Sequence, residues 1–410
     1  RVYPTYFNLD RGLLIMNDNG IQCPLDSMVM FDIRGISRDT ITSIGAYHYK
    51  KNNVDVYPSH VISPLSSSVV GISTPLTVSI YNLGVDTITS MHIGWEVNGV
   101  VQTPFSWTGS LATDDTVIVT IGNFIPQLKN NTIIVYTFNP NSTTDEDINN
   151  DTIIINTYGC KFVLSGTYTV GGFGADFIDI NEVMETVQYC GVSGPVVFKL
   201  ASGNYGNMVF NAPFPGASKI NTVTFTSASG NANDVVIGST GEALSLTDAE
   251  NLVFSYLTFG DTVSNKTTYT IHMQGMCYNI EINACNIYSD ITATGTNYIP
   301  IRCYNQNQPK YLKDIRILNN NIRGGYYNMY MYYISGNSSS NMPSTSVIID
   351  GNTLSDAYYS GIYTYYYGRY PTISNNIIKS RVNTPTTYYA IYSYYYTVVD
   401  TMQNNKIYIG

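Results

Sequence analysis

Along most of the chain apolar and polar residues alternate in short runs, the period of two that a half-buried β-strand requires. "TPLTVSIYNLG", "DDTVIVTIG" and "NTIIVYTFNP" show it between residues 58 and 157, and "NIEINACNI" and "SVIIDGNTL" show it further on. One segment keeps a different period. In "DINEVMETVQYC" (179–190), Ile180, Val183, Met184 and Val187 fall on one helical face, and Asp179 and Glu182 form a D-x-x-E capping box. The strand-like "FVLSGTYTV" precedes it and "GPVVFKLASGNY" follows. The pattern predicts an all-β chain with one short helix.

The second half repeats. "YLTFGD", "ACNIYSD", "NNNIRGG", "GNTLSD", "NNIIKS" and "NNKIYI" align on Leu257, Cys285, Asn320, Asn352, Asn376 and Asn405, at spacings of 28, 35, 32, 24 and 29 residues. Irregular spacing near thirty, with strands in every repeat, predicts a parallel β-helix whose core is shared between neighbouring turns. The helix then serves as an end cap over an otherwise open stack. The anchor asparagines predict an internal amide ladder, each side chain bonding to the next turn.

This register makes sense of an aromatic phrase that occurs three times: "YYNMYMYYIS", "YYSGIYTYYY" and "YYAIYSYYYT". Met329, Ile362 and Ile391 align, as do Met331, Thr364 and Ser393. Side chains alternate between faces along a strand, so Tyr330, Tyr363 and Tyr392 point outward, and so do Tyr332, Tyr365 and Tyr394. Coils stack about 4.8 Å apart, giving two ladders of phenol rings. Two readings stand. The ladders stabilise the sheet, at roughly 0.2–1 kcal/mol per neighbouring pair. Or they form a binding face, since tyrosine joins a flat apolar body to a polar tip.

Composition narrows the function classes. Charged residues are 12% of the chain, net charge is −9 and pI about 4.8. No basic run exists, which argues against a nucleic-acid partner. No stretch of about 18 apolar residues exists to span a membrane. The chain opens on Arg1 with no secretory leader and stops just after an anchor asparagine, so it is expected to be a processed or partial product. The six cysteines show neither CxxC nor zinc spacing. Cys160 and Cys190 flank the helix, and a disulfide between them would clip the first strand to the helix end. Cys277 and Cys303 lie one turn apart, as stacked core thiols or as a second disulfide. In "NSTTDEDINNDT", Asp145, Asp147 and Asp151 (with Asn149) alternate oxygen ligands that calcium can use, although the spacing is not that of an EF-hand. No other cofactor is expected.

Three segments resemble known modules. "YNLGVDTITSMHIGWEVNGVVQTPFSWTGSL" followed by "NPNSTTDEDINNDT" resembles the immunoglobulin-like CARDB-type modules of secreted and surface proteins of Bacteroidota. "LSGTYTVGG…DFIDINEVMETVQYCGVSGPVVFKLASGNY" resembles the start of the right-handed parallel β-helix domains in the same proteins. "FDIRGISRDTITSIGAYHYK" (31–50) resembles the segment that closes such helices, with His48 where Glu is usual. The resemblance implies the tail of one β-helix over 1–57, an immunoglobulin-like β-sandwich over 58–157 and the head of the next β-helix over 158–410. Asp-Ser/Thr-apolar tripeptides, at Asp86, Asp115, Asp151 and Asp400 among others, resemble the O-glycosylation signal of exported Bacteroidota proteins.

None of the resembling segments carries a catalytic motif. Glycoside hydrolysis needs two carboxyls roughly 5–9.5 Å apart; Asp261 and Asp290, at similar offsets from successive anchors, are the candidate pair. A polysaccharide lyase or glycoside hydrolase on the β-helix is therefore one expectation. The favoured one is a non-catalytic secreted or surface protein that contacts glycans, surfaces or other copies of itself through the tyrosine face. A purely structural stalk is the third.

Overall fold

The computed structural model describes residues 51–238, 241–260, 269–305, 311–334, 346–382 and 387–409. Before them it describes residues 30, 31 and 37 and the backbones of strands Thr5–Leu9, Gly12–Asn17, Gln22–Pro24 and Ile41–Ser43. Most of 31–50, the segment resembling a β-helix tail, lies outside the described residues. The chain divides into two compact units, Arg1–Gly159 and Cys160–Gly410.

Within the first unit, two antiparallel sheets form a sandwich. One runs Phe105–Leu111, Ile88–Val97, Lys129–Phe138, Thr152–Cys160 and Ser67–Val69, and the other Thr116–Phe124, Thr74–Asn82 and Val56–Ser63. Alternation makes the core: Leu76, Val78, Ile80, Ile93, Ile133 and Val135 are fully buried. Trp95 joins them, its indole N–H donating to the Thr103 carbonyl at 3.1 Å, while Trp107 is half-buried.

The second unit is a parallel β-solenoid with three sheets of nine, eight and seven strands. Seven complete coils contribute one strand to each sheet; one first-sheet strand precedes them, and one strand each in the first and second sheets follows. In the first sheet the inward column reads Phe198, Phe225, Phe254, Ile282, Ile317, Ile349 and Ile373, all fully buried. Burying such a side chain contributes about 1.5–3 kcal/mol, and every coil supplies several.

The turn from the first sheet to the second repeats one backbone device. Tyr256, Ala284, Asn319, Asn375 and Asn404 take left-handed φ of 53–57°, and Gly351 takes 70°. That reversal turns the following anchor residue inward. The asparagine ladder results. Asn352 Oδ1 accepts from the backbone N–H and the side-chain amide of Asn320, at 2.9 and 3.0 Å. Asn376 and Asn405 repeat the pattern toward the C-terminus, and Cys285 N–H donates to Asn320 at 2.9 Å. Each side-chain N–H₂ also donates to a carbonyl of the coil before, as Asn352 does to Ile317 at 2.8 Å. These buried amides are satisfied on both sides, as buried polar groups must be.

The one α-helix among the described residues, Ile180–Cys190, lies between the first two strands of the first sheet. Asp179 Oδ1 accepts from the Glu182 N–H at 2.9 Å, and Glu182 reaches back to the Ile178 N–H at 2.8 Å. Ile180, Val183 and Val187 are buried in the solenoid core, with Met184 packed against it. Gly191 ends the helix at φ 67°. A disulfide joins Cys160 to Cys190, Cα–Cα 5.6 Å. Cys277, Cys285 and Cys303 are free, buried thiols, and burial pushes the first two up to about 11 and 12.

Candidate binding face on the third sheet

The third sheet carries the tyrosines. Its strands Ile299–Tyr304, Tyr327–Tyr332, Ser360–Tyr365 and Tyr389–Tyr394 stack in parallel. Register pairs Tyr330 with Tyr363 and Tyr363 with Tyr392, and Tyr332 with Tyr365 and Tyr365 with Tyr394. Met329, Met331 and Ile362 point into the core on the opposite face and are fully buried.

The rings stack. Tyr330–Tyr363 and Tyr363–Tyr392 centroids lie 5.5 and 4.8 Å apart, at 11° and 6° between planes. In the second column Tyr332–Tyr365 and Tyr365–Tyr394 lie 5.6 and 5.3 Å apart, at 17° and 8°. The columns also touch each other, Tyr330 against Tyr332 at 5.6 Å. Burial, then neighbouring phenols, raises Tyr363 to about 12 and Tyr330 further. Tyr330 and Tyr363 therefore present uncharged hydroxyls over flat rings throughout the neutral pH range.

More of the face lies beyond these six residues. Tyr304 extends the second column by one coil, stacked on Tyr332 at 5.0 Å and 10°. Two further short columns run along the turn that leaves the sheet, Tyr333 stacking on Tyr366 at 4.8 Å and 8°, and Tyr367 on Tyr396 at 5.3 Å and 6°. These turn tyrosines have left-handed backbones, with φ of 54°, 56° and 57° at Tyr333, Tyr366 and Tyr395. A bulky residue there costs on the order of 1–3 kcal/mol. Most other turns of this solenoid place Asn, Asp or Gly at such φ, with Tyr256 and Ala284 the exceptions, so backbone ease does not explain the run of tyrosines. Tyr370 is an exception to the outward pattern: it is 1% exposed, inside the core.

At its N-terminal end the first column changes chemistry. Tyr330 pairs with Arg302, and Arg302 with His272, which follows Ser245. Glu242 Oε1 accepts from His272 Nδ1 at 2.9 Å, and Arg302 Nη1 donates to His272 Nε2 at 2.7 Å. His272, and then Arg302, help hold the Glu242 carboxyl below its ordinary range. Sequence alignment of "YTIHMQ" and "IPIRCY" with the tyrosine phrases would have placed His272, Arg302 and Tyr304 in these columns. Tyrosine count alone hid them.

Of the candidate carboxyl pair, Asp261 lies outside the described residues. Asp290 is 6% exposed, and its Oδ1 accepts from both the N–H and the hydroxyl of Thr292 at 2.7 Å. That is the local bonding of a turn aspartate. Arg323 Nε donates to Asp356 Oδ2 at 2.5 Å.

In the acidic loop of the sandwich, Asp145 accepts from the backbone N–H groups of Val56 and Asp147, at 2.8 and 2.9 Å. Asp147 Oδ1 accepts from Asn149. Burial, then the charges of Asp145 and Asp55, raises the Asp151 carboxyl to about 7. Among the described residues, no group of three or more His, Cys, Asp or Glu side chains is arranged to hold a metal ion.

No family model matches the chain. No curated protein matches it either. Solved structures with a similar fold include the CARDB domain of the PF1109 protein from Pyrococcus furiosus, in complex with di-metal ions. It is 18% identical over 27% of this chain and 90% of that one, with a TM-score of 0.22. A domain from Methanosarcina acetivorans, named for the cell surface, is 19% identical over 26% and 93%, at 0.24. The pectin methylesterase of Aspergillus niger is 12% identical over 60% and 86%, at 0.36. No helix among the described residues is long and apolar enough to cross a membrane.

Proposed function

We propose that this chain is a non-catalytic module of a secreted or cell-surface protein, of the Bacteroidota type its sequence resembles. Its third sheet makes multivalent contact with glycans, surfaces or other copies of itself. One observation carries this reading. At the same registers, earlier coils hold Ser245, Thr247, His272 and Gln274 in place of the tyrosines, and they fold into the same sheet. The fold therefore does not require tyrosine there.

Rows of rings at a fixed coil spacing give many weak, similar contacts. Linked contacts of that kind gain avidity through effective concentration rather than through any single strong bond. Sugar rings suit such a face because each has an apolar side for stacking and hydroxyls for the phenol tips. Thr87, Thr116 and Thr152 of the Asp-Thr-apolar tripeptides are exposed, as acceptors of O-linked sugar would have to be.

A glycan array with the 410-residue chain tests the reading, run beside Tyr363→Ala with Tyr392→Ala. Binding by the parent that the double variant loses supports the face. Binding that survives, or none at all, overturns it; the latter leaves a purely structural stalk. Release of reducing sugar from a polysaccharide panel would instead favour an enzyme.

A further inference from the structure

The tyrosine columns begin on a single guanidinium. Arg302 is the only arginine or lysine in the two outward columns of the third sheet among the described residues. Its Cζ lies 3.9 Å from the centroid of the Tyr304 ring and 4.4 Å from that of Tyr269. Two phenol rings and the bond to His272 fix the plane of the group. The His272 ring is fixed in turn. Its Nδ1 faces the Glu242 carboxylate, so Nδ1 carries the proton and Nε2 accepts from Arg302. His272 is only 7% exposed.

Ser245, His272 and Glu242 have the composition of a hydrolytic triad but not its geometry. A triad needs the serine at Nε2, and here Nε2 is occupied by Arg302. The chain Glu242–His272–Arg302 ends on the guanidinium, so it orients that group and activates no nucleophile. Arg302 has five N–H donors, and one is used by His272. Arg302 is half-buried, and its other donors have no protein partner among the described residues.

A guanidinium held flat with free donors is preorganised for a planar oxyanion, which it grips through two parallel N–H···O bonds. Tyr330 follows it in the same column, one coil on, and Tyr304 stacks on Tyr332 beside it. Resting on the glycan reading of this face, we infer that its preferred ligand is an acidic saccharide. A sugar carboxylate sits on Arg302 while neighbouring sugar rings lie along the tyrosine columns. Glu242 and His272 act as positioning residues for Arg302.

The test measures binding of labelled mannuronate oligomers to the full chain, beside the same oligomers with their carboxyls reduced to alcohols. The parent should prefer the carboxylated form roughly ten-fold or more. Arg302→Gln should bring the two to within about two-fold. Arg302→Lys keeps the charge and loses the planar fork, so it too should lose most of the preference; it serves as the second variant if Arg302→Gln unfolds. No preference in the parent, or a preference that survives in these variants, overturns the inference. Sulfated dextran bound as tightly as the carboxylated oligomer would overturn planar recognition in favour of charge alone. Failure of the broader reading looks different: Tyr363→Ala with Tyr392→Ala would leave binding of both oligomers intact.

Discussion

The two ends of the solenoid use stacked aromatic rings on opposite faces. Near the cap the stack is inside: Phe198, Phe225 and Phe254 lie 5.3 and 5.8 Å apart, at 29° and 12°. Toward the C-terminus the inward positions are Ile317, Ile349 and Ile373, and the rings stand outside as Tyr330, Tyr363 and Tyr392. One coil spacing serves both stacks, so the repeat favours ring stacking on either face. The hydroxyl decides which face. Phenylalanine adds only apolar area and belongs in the core; a buried phenol must find a partner or lose its bond to water. The inner stack builds the fold. The outer one sits on a fold that earlier coils form without it.

Substitutions in the two stacks should separate these roles. The largest effect is expected inside. Phe225→Ala opens a cavity among Phe198, Phe210 and Phe254 and should cost about 3–5 kcal/mol, a fall in Tm of roughly 10 °C for a unit of this size. Asn352→Ala comes next. It strips the Asn320 backbone and side-chain N–H groups of their acceptor inside the core and should cost about 2–3 kcal/mol in the same thermal or denaturant experiment. Tyr363→Ser removes two outer stacking contacts and should cost only about 0.5–2 kcal/mol while weakening glycan binding. A cost as large as that of Phe225→Ala would make the outer columns architecture rather than a binding face.

A separate effect belongs to the sandwich and depends on pH. Asp151 titrates at about 7 in the folded chain against roughly 3.9 unfolded. A raised carboxyl favours the protonated folded form. Its stabilising contribution is full below about pH 4 and is lost as pH rises toward 7. Thermal midpoints of the sandwich should therefore fall over that window, and Asp151→Asn should flatten the fall. Millimolar calcium sharpens the measurement. A rise in the midpoint at pH 8 that Asp151→Asn abolishes would place a cation among these carboxylates.

The alternation of apolar residues, the near-thirty-residue repeat and the capping box were enough to reach the solenoid, its asparagine ladder and its helix. They suffice because strand and helix periods, and the register between identical coils, are local properties copied from one repeat to the next. The six ladder tyrosines were legible for the same reason. Aligning their strands puts His272 and Arg302 in the first column, but only stacking brings Glu242 to His272 and sets His272 between a carboxylate and a guanidinium. The left-handed tyrosines of the turn were hidden too, since nothing in the letters distinguishes Tyr365 in the strand from Tyr366 in the bend. Sequence thus determined which residues share a column and a face. Tertiary structure decided which neighbours each column meets at its ends and corners, because those contacts join coils whose sequences do not repeat.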